Sequence, residues 1–431
     1  MNNKSLYKKT FGMQLNKFTI AILLFLFTLL IFNIKFRYVG SGDTKPNELL
    51  PISIIYERDF DFNEFVSEQN ALPPYFRSIR GRIVSMYPII PGILSLPVFL
   101  IAHICGIDLL KNISLLSMIS SSLIASISAV FMFLCLTKIC KKQITAVFFA
   151  LVYAFATCVW SVACRGIWQH GPSLLFITIT LFLLLNENNA LIPYAGFFLG
   201  MAVFNRPTNI IIALPLTVYI FNNYRGGVRI KYLILAMIPA LLFSWYSYVY
   251  MGNVSSLGQG HELKLGGHFW RGLPGLLISP GRGLFVFSPI FIFSFAYLIY
   301  SLFSKNTRSI YRYLAISAIL MVGAYAKWHG WWGGHCFGYR YLIELIPMLI
   351  IFLALCWEKV ITTSRYLKIT FFICLVVSIY FHFLGAFLYP AGFNYEPNNI
   401  DSHTERLWSV KDTELVRATK NLLKKFHVLH D

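Results

Sequence analysis

The sequence predicts an all-α, polytopic membrane protein, and three features lead there. Hydrophobic residues fill 57% of the 431 positions and charged residues only 13%, about half the charge density of a soluble chain. Apolar runs long enough to span hydrocarbon recur from one end to the other. Between them most Lys and Arg fall in short loops, so the net charge of +19 reads as positive-inside bias and not as a nucleic-acid footprint.

The first run, Phe18 to Phe36, follows Lys4, Lys8, Lys9 and Lys17 as a signal peptide's core would. It is longer than such a core, and "NIKFRYVG" offers no small-x-small cleavage site, so it reads as a retained span. Further spans are expected near 113–136, 144–163, 171–186, 191–204, 208–222, 232–250, 284–303, 313–327, 342–357 and 369–388. That makes about eleven crossings, all helical because hydrocarbon offers no partner to a bare backbone group. Basic clusters at Lys138, Lys141 and Lys142, at Arg225, Arg229 and Lys231, at Lys305, Arg308 and Arg312, and at Lys359, Arg365 and Lys368 mark cytoplasmic ends.

One greasy segment breaks the alternation. If Met86 to Gly106 crossed, every later basic cluster would land outside, and its Pro88, Pro91 and Pro97 each remove a helical donor. An outer juxtamembrane hairpin or interfacial helix restores the pattern, with the N-terminus inside and the C-terminus outside. Residues 1–388 then form a transmembrane domain whose first outer loop and juxtamembrane segment are 37–112, and 389–431 form a short extracytoplasmic tail. The eight cysteines lie mostly in apolar runs, with no paired CxxC motif.

On this layout the unusual polar motifs share the outer face: "GSGDT" around Asp43, "FRSIRGRIVSMYP", "CRGIWQHGPS", "NRPTN", "SPGRGLFVFSP" and "KWHGWWGGHCFGYRY". Each has an ordinary reading alone. Trp331 and Trp332 fit an interfacial aromatic belt, and span-end arginines snorkel. His329 and His335 have poor ligand spacing and "HELKLGGH" is not HExxH, so no metal site is expected. Together they describe a cavity rich in cations and aromatics, with an acid at its rim. Arg80, Arg82, Arg165, Arg206, Arg282 and Arg340 supply forks that match phosphate oxygens. Aromatic faces suit a sugar ring, and Asp43 is placed to take a proton from an attacking hydroxyl.

The arrangement resembles the C-type (GT-C) integral-membrane glycosyltransferases, which include the protein O-mannosyltransferases and lipid A aminoarabinose transferases. The resemblance rests on Asp43 shortly after the first span, on Met86 to Gly106 as the juxtamembrane segment, and on "GDTKPNELLPISII", "WQHGPSLL", "SPGRGLFVFSP" and "WWGGHCFGYRYL", which look like a bacterial branch of that superfamily. It implies a GT-C-like bundle in the bacterial inner membrane, using a polyprenyl-phosphate sugar donor and a glycan, lipid or protein acceptor at the extracytoplasmic face. Thr44 stands where the O-mannosyltransferases carry the second acid of an Asp-Glu pair.

The expected function is inverting transfer of a hexosyl or pentosyl group. Asp43 acts as general base, Arg80, Arg82, Arg206 and Arg282 bind the donor phosphate, and His170, Trp331, Trp332, His335 and Arg340 line the sugar and acceptor pocket. No cofactor is required, though a divalent cation on the phosphate is compatible. Glu48, Asp59 and Asp61 read as solvated loop acids, with Glu57 and Glu64 as fallback bases. A lipid-linked glycan polymerase or ligase and a flippase of lipid-linked sugars are the alternatives. The flippase explains the one-sided motifs less well, since intramembrane charges are not visible.

Overall fold

The computed structural model describes residues 16–66, 72–186, 188–253 and 266–425. Lys4, Lys8, Lys9, Glu68 and the His261 of "HELKLGGH" lie outside them. Helix α1 (Lys17–Asn33) leads to α2 (Lys45–Tyr56), strands β1 (Phe76–Ile79) and β2 (Arg82–Ser85), and α3 (Ile90–Ile104). Then come α4 (Ile113–Leu136), α5 (Gln143–Phe155), α6 (His170–Leu185), α7 (Tyr194–Asn205), α8 (Ile210–Asn223) and α9 (Gly227–Met251). The last part holds α10 (Phe269–Ile278), α11 (Leu284–Phe287), α12 (Phe291–Phe303), α13 (Ser309–Ala326), α14 (Ile346–Lys359), α15 (Arg365–Leu388) and α16 (Glu414–Lys425).

The two strands are a small departure from an all-helical chain. Ile79 pairs with Arg82, leaving Arg80-Gly81 as a two-residue turn with φ of 54° and 76°. Positive φ at both positions is the primed turn that matches the twist of a hairpin.

Five helical stretches among the described residues are long and apolar enough to cross a bilayer: Ile113–Leu136, Gly227–Met251, Ser309–Ala326, Arg340–Thr363 and Arg365–Leu388. The remaining expected spans appear as shorter helices. The run 144–163 breaks after Phe155, where the Thr157 hydroxyl donates to the Tyr153 carbonyl (2.6 Å) and competes with the helical ladder. The run 284–303 breaks at Pro289 into α11 and α12. α14 is buried from Ile346 to Cys356, with α4, α6 and α12 among the helices packed around it. α9, by contrast, turns Leu233, Ile234, Met237 and Leu241 outward, and α15 turns Ile373 and Val376 outward. Apolar surface of that extent marks a membrane or a protein partner, and on helices long and apolar enough to cross a bilayer it suits hydrocarbon. The chain is an integral membrane protein.

The bundle has two distinct ends. At one, Lys138 donates to Asn186, Arg308 to the Leu185 carbonyl, Ser309 to Asn223, and the Lys141 N–H to Glu358. At the other, Arg165 donates to the Phe32 carbonyl, Trp168 to the Val39 carbonyl and Arg37 to the Tyr389 carbonyl. The α2–α3 unit belongs to this second end. Asn47 accepts the Gly92 N–H, Tyr56 meets His103 edge-on, and Ile52, Phe99 and Ala102 pack with Leu116 and Ile167. The 15 residues of α3 span only about 22 Å, short of the roughly 30 Å of hydrocarbon.

This geometry makes the membrane layout testable. Reporters fused after Lys142, Asn223, Lys305 and Lys368 should read cytoplasmic, and those after Gly106, Gly267 and Gly334 external. An external reading after Lys142 would mean that Met86 to Gly106 crosses, and would reverse the face on which the polar motifs lie.

Candidate active site

The site is built on the turn that follows α1. The Thr44 N–H bonds the Ser41 carbonyl (3.0 Å), and Asp43 projects from that turn just ahead of α2, near the positive end of the helix dipole. Below it Glu48 is fully buried. Its Oε1 accepts Thr44 Oγ1 (2.7 Å) and the Tyr38 hydroxyl, and its Oε2 pairs with Lys45 Nζ (3.0 Å). The solvated role expected of Glu48 is therefore wrong: it is the peg that holds the Asp43 turn. Asp61 is also buried, at 8% exposure, and burial raises its carboxyl.

Asp43 Oδ2 pairs with Arg340 Nη2, and Oδ1 accepts the Tyr87 hydroxyl (2.8 Å). Burial first, and then the neighbouring Asp43, raise the Tyr87 phenol, so it stays a donor. Arg340 opens the 3₁₀ turn before α14 and lies 4.4 Å above the Trp168 ring. Its Nε donates to His170 Nε2 (3.2 Å) and its Nη1 to the Gly333 carbonyl (3.3 Å). His170 Nδ1 is 2.7 Å from Glu344 Oε1, and that oxygen also accepts Arg206 Nη1 (3.0 Å).

A cleft of about 570 Å³ opens over Asp43 and Arg340, walled by Trp328, His329, Trp332, His335, Tyr341 and Asp401 among others. The Gly-rich loop can form its wall because Gly333 and Gly334 take φ of 78° and 68°, accessible to glycine without a steric penalty. From the tail, Asp401 accepts the Trp332 indole N–H (2.7 Å) and lies 3.3 Å from His335 Nε2. A second groove, about 360 Å³ between α7, α8 and α9, is lined by apolar groups such as Leu199, Phe204 and Phe243 and carries no acid or base.

The structure thus brings together Asp43, Trp332, His335 and Arg340. The other expected site residues lie elsewhere. His170 is 1% exposed and sits behind Arg340, not on the cleft wall. Trp331 is buried with its ring against Gly275. Arg282 cannot meet a donor phosphate as expected, because its N–H groups are already spent on Gly281, Trp332, Gly334, Asn394 and Glu414 at 2.8–3.3 Å. Arg206 is likewise buried, on Glu344, Thr208 and Tyr325, behind the stacked rings of Tyr325 and Tyr341. Arg80 and Arg82 are exposed on the hairpin, where Arg82 covers Tyr250 and Arg80 covers Gly252 at the end of α9. Arg165 ties down the Phe32 carbonyl in the last turn of α1 and the Lys35 carbonyl just beyond it.

Several site residues escaped sequence reasoning. Glu344 left a signal: a lone carboxylate four residues after Arg340 inside an apolar run needs a buried partner, and it corrects the view that no intramembrane charge is present. Tyr87 and Trp168 lie inside quoted motifs and Asp401 in the tail, but their roles depend on contacts with distant Asp43, Arg340 and Trp332 that only the fold closes.

No family model and no curated protein matches the chain. Solved structures do. The apo oligosaccharyltransferase of Archaeoglobus fulgidus superposes with a TM-score of 0.54 at 13% identity, covering 96% of this chain and 61% of that one. The chain shares the fold of that archaeal membrane enzyme. The same archaeal enzyme matches in a complex with Zn and sulfate (TM-score 0.53, 13% identity, 92% and 58% covered), and in one with an inhibitory peptide and a dolichol-phosphate (0.53, 12%, 95% and 61%). The chain spans about three-fifths of the length of those proteins. Among its described residues no three His, Cys, Asp or Glu side chains come together in a way that could hold a metal ion. Asp43 is engaged by Arg340 and Tyr87, and His335 by Asn399 and Asp401.

Proposed function

We propose that this GT-C-like protein transfers a sugar from a polyprenyl-phosphate donor to a hydroxyl-bearing acceptor in the cell envelope, at the extracytoplasmic face of the bacterial inner membrane. The observation that carries the reading is the direct contact of Asp43 with Arg340 on the wall of an aromatic cleft. A base and a phosphate-matching fork stand side by side where a sugar face can stack on Trp332 or Trp328. Asp43 takes the proton of the acceptor hydroxyl as its oxygen attacks the anomeric carbon. The bond from that carbon to the phosphate oxygen breaks on the opposite side, inverting the configuration. Polyprenyl phosphate leaves with the electron pair, its charge met by Arg340.

This moves the phosphate role from Arg80, Arg82, Arg206 and Arg282 to Arg340. The archaeal neighbour bound to a dolichol-phosphate supports a lipid-phosphate donor. The sugar, hexosyl or pentosyl, and the acceptor (glycan, lipid or protein) are left to the assay.

Membranes containing the protein, given labelled hexosyl and pentosyl polyprenyl monophosphates, should consume one of them, release polyprenyl phosphate and label an envelope acceptor. Consumption of diphosphate-linked glycans alone would establish the polymerase or ligase alternative. Movement of intact lipid-linked sugar across the bilayer without bond cleavage would establish the flippase.

A further inference from the structure

The tautomer of His170 follows from its neighbours. Arg340 Nε can only donate, so His170 Nε2, 3.2 Å away, must accept. The ring proton then sits on Nδ1 and points at Glu344 Oε1, 2.7 Å away. Arg206 Nη1 lies 3.2 Å from Nε2, which can accept it together with Arg340 Nε, and donates to the shared Glu344 oxygen at 3.0 Å; its 2.6 Å approach to Nδ1 is not a hydrogen bond in this tautomer. The cluster contains two guanidiniums, Arg206 and Arg340, and two carboxylates, Glu344 and Asp43, with a neutral imidazole between them. Glu344 is 0% and His170 1% exposed.

Seen from Arg340, three contacts fix the guanidinium plane. His170 takes its inner edge at Nε, the Trp168 ring supports its face, and Asp43 takes one tip at Nη2. Nη1 is left toward Gly333 and the cleft. A buried carboxylate that orients a histidine, which in turn orients a working group, holds that group through the reaction without rearrangement.

We propose that Glu344 and His170 are positioning residues: a buried chain that sets the angle of Arg340 and, through it, the reach of Asp43. The proposal rests on the roles given above to Asp43 and Arg340. A purely structural alternative is that Glu344 and His170 serve only to neutralise Arg206 in the bundle core. The two differ in a measurable way, because a residue that acts through Arg340 loses its effect once Arg340 is removed.

The test uses the full chain in membranes and labelled polyprenyl-phosphate sugar, with kcat, KM and thermal stability measured for each variant. His170→Phe keeps the ring volume without either nitrogen and should lower kcat on the order of 10²-fold, as small displacements of reacting groups do, with acceptor KM unchanged. His170→Gln returns an acceptor near the Nε2 position and should recover most of the rate. In an Arg340→Ala background, His170→Phe should cost nothing more. Glu344→Gln, in both backgrounds, carries the same test if His170→Phe does not fold. Losses that multiply in the double variants, or a His170→Phe enzyme at full rate, would overturn the chain while leaving Asp43 in its role. Full activity of Asp43→Asn alone would remove the underlying reading and the chain with it.

Discussion

Replacing Asp43 with Asn should lower sugar transfer about 10²–10⁴-fold, the usual cost of losing a general base, while the protein still folds. Asn keeps the size of the side chain and can still accept the Tyr87 hydroxyl, which lies 2.8 Å from Oδ1. Arg340 loses its carboxylate but keeps His170, Gly333 and the Trp168 face. The turn itself depends on Glu48 and Thr44 and not on Asp43. Two controls sharpen the result. Asp59→Asn should be mild, because Asp59 lies beyond α2, away from the cleft, and accepts a Ser53 hydroxyl at 2.9 Å. Asp401→Asn tests the second carboxylate of the cleft. It is held by Trp332 and His335, so its loss should weaken sugar binding more than turnover. Normal transfer by Asp43→Asn with a dead Asp401→Asn would transfer the base role to the tail.

The sequence made the site's side of the protein legible before its contents. Positive-inside bias and the prolines of Met86 to Gly106 place "GSGDT", "WQHG" and "WWGGHCFGYR" at one end, and the α2–α3 unit packs beside Leu116 and Ile167. Asp43 stands out because a carboxylate directly after a span is conspicuous. The arginines were the harder problem. All six look alike in sequence, yet Arg282 ends in a cage of carbonyls with Glu414, Arg206 in a core ion pair, and Arg340 beside the acid. What separates them is burial and the number of partners already supplied, which depends on contacts between distant helices. The tail shows the same limit. Its sequence reads as a short extracytoplasmic tail, but Glu414 is fully buried and accepts the Gly338 N–H at 3.1 Å.

Arg340→Ala should cost about 10²–10³ in kcat, the range for losing one preorganised donor to a developing anion, and should weaken inhibition by the product polyprenyl phosphate. Arg340→Lys should rescue poorly. A single ammonium cannot reach Asp43 and His170 Nε2 while also lying flat on Trp168, and it lacks the planar fork that matches a phosphate. Removing Arg340 also leaves Asp43 without its ion pair, so Asp43→Asn combined with Arg340→Ala should lose far less than the product of the two single effects. Arg80→Ala and Arg82→Ala should stay close to normal, because both side chains cover the end of α9 and not the cleft. The opposite pattern, with Arg340→Ala active and the hairpin variants unable to use donor, would mean that the lipid phosphate binds at the hairpin and reaches Asp43 from that side. Product inhibition distinguishes the two, since polyprenyl phosphate carries the phosphate and no sugar, and only the arginine that holds it sets its Ki.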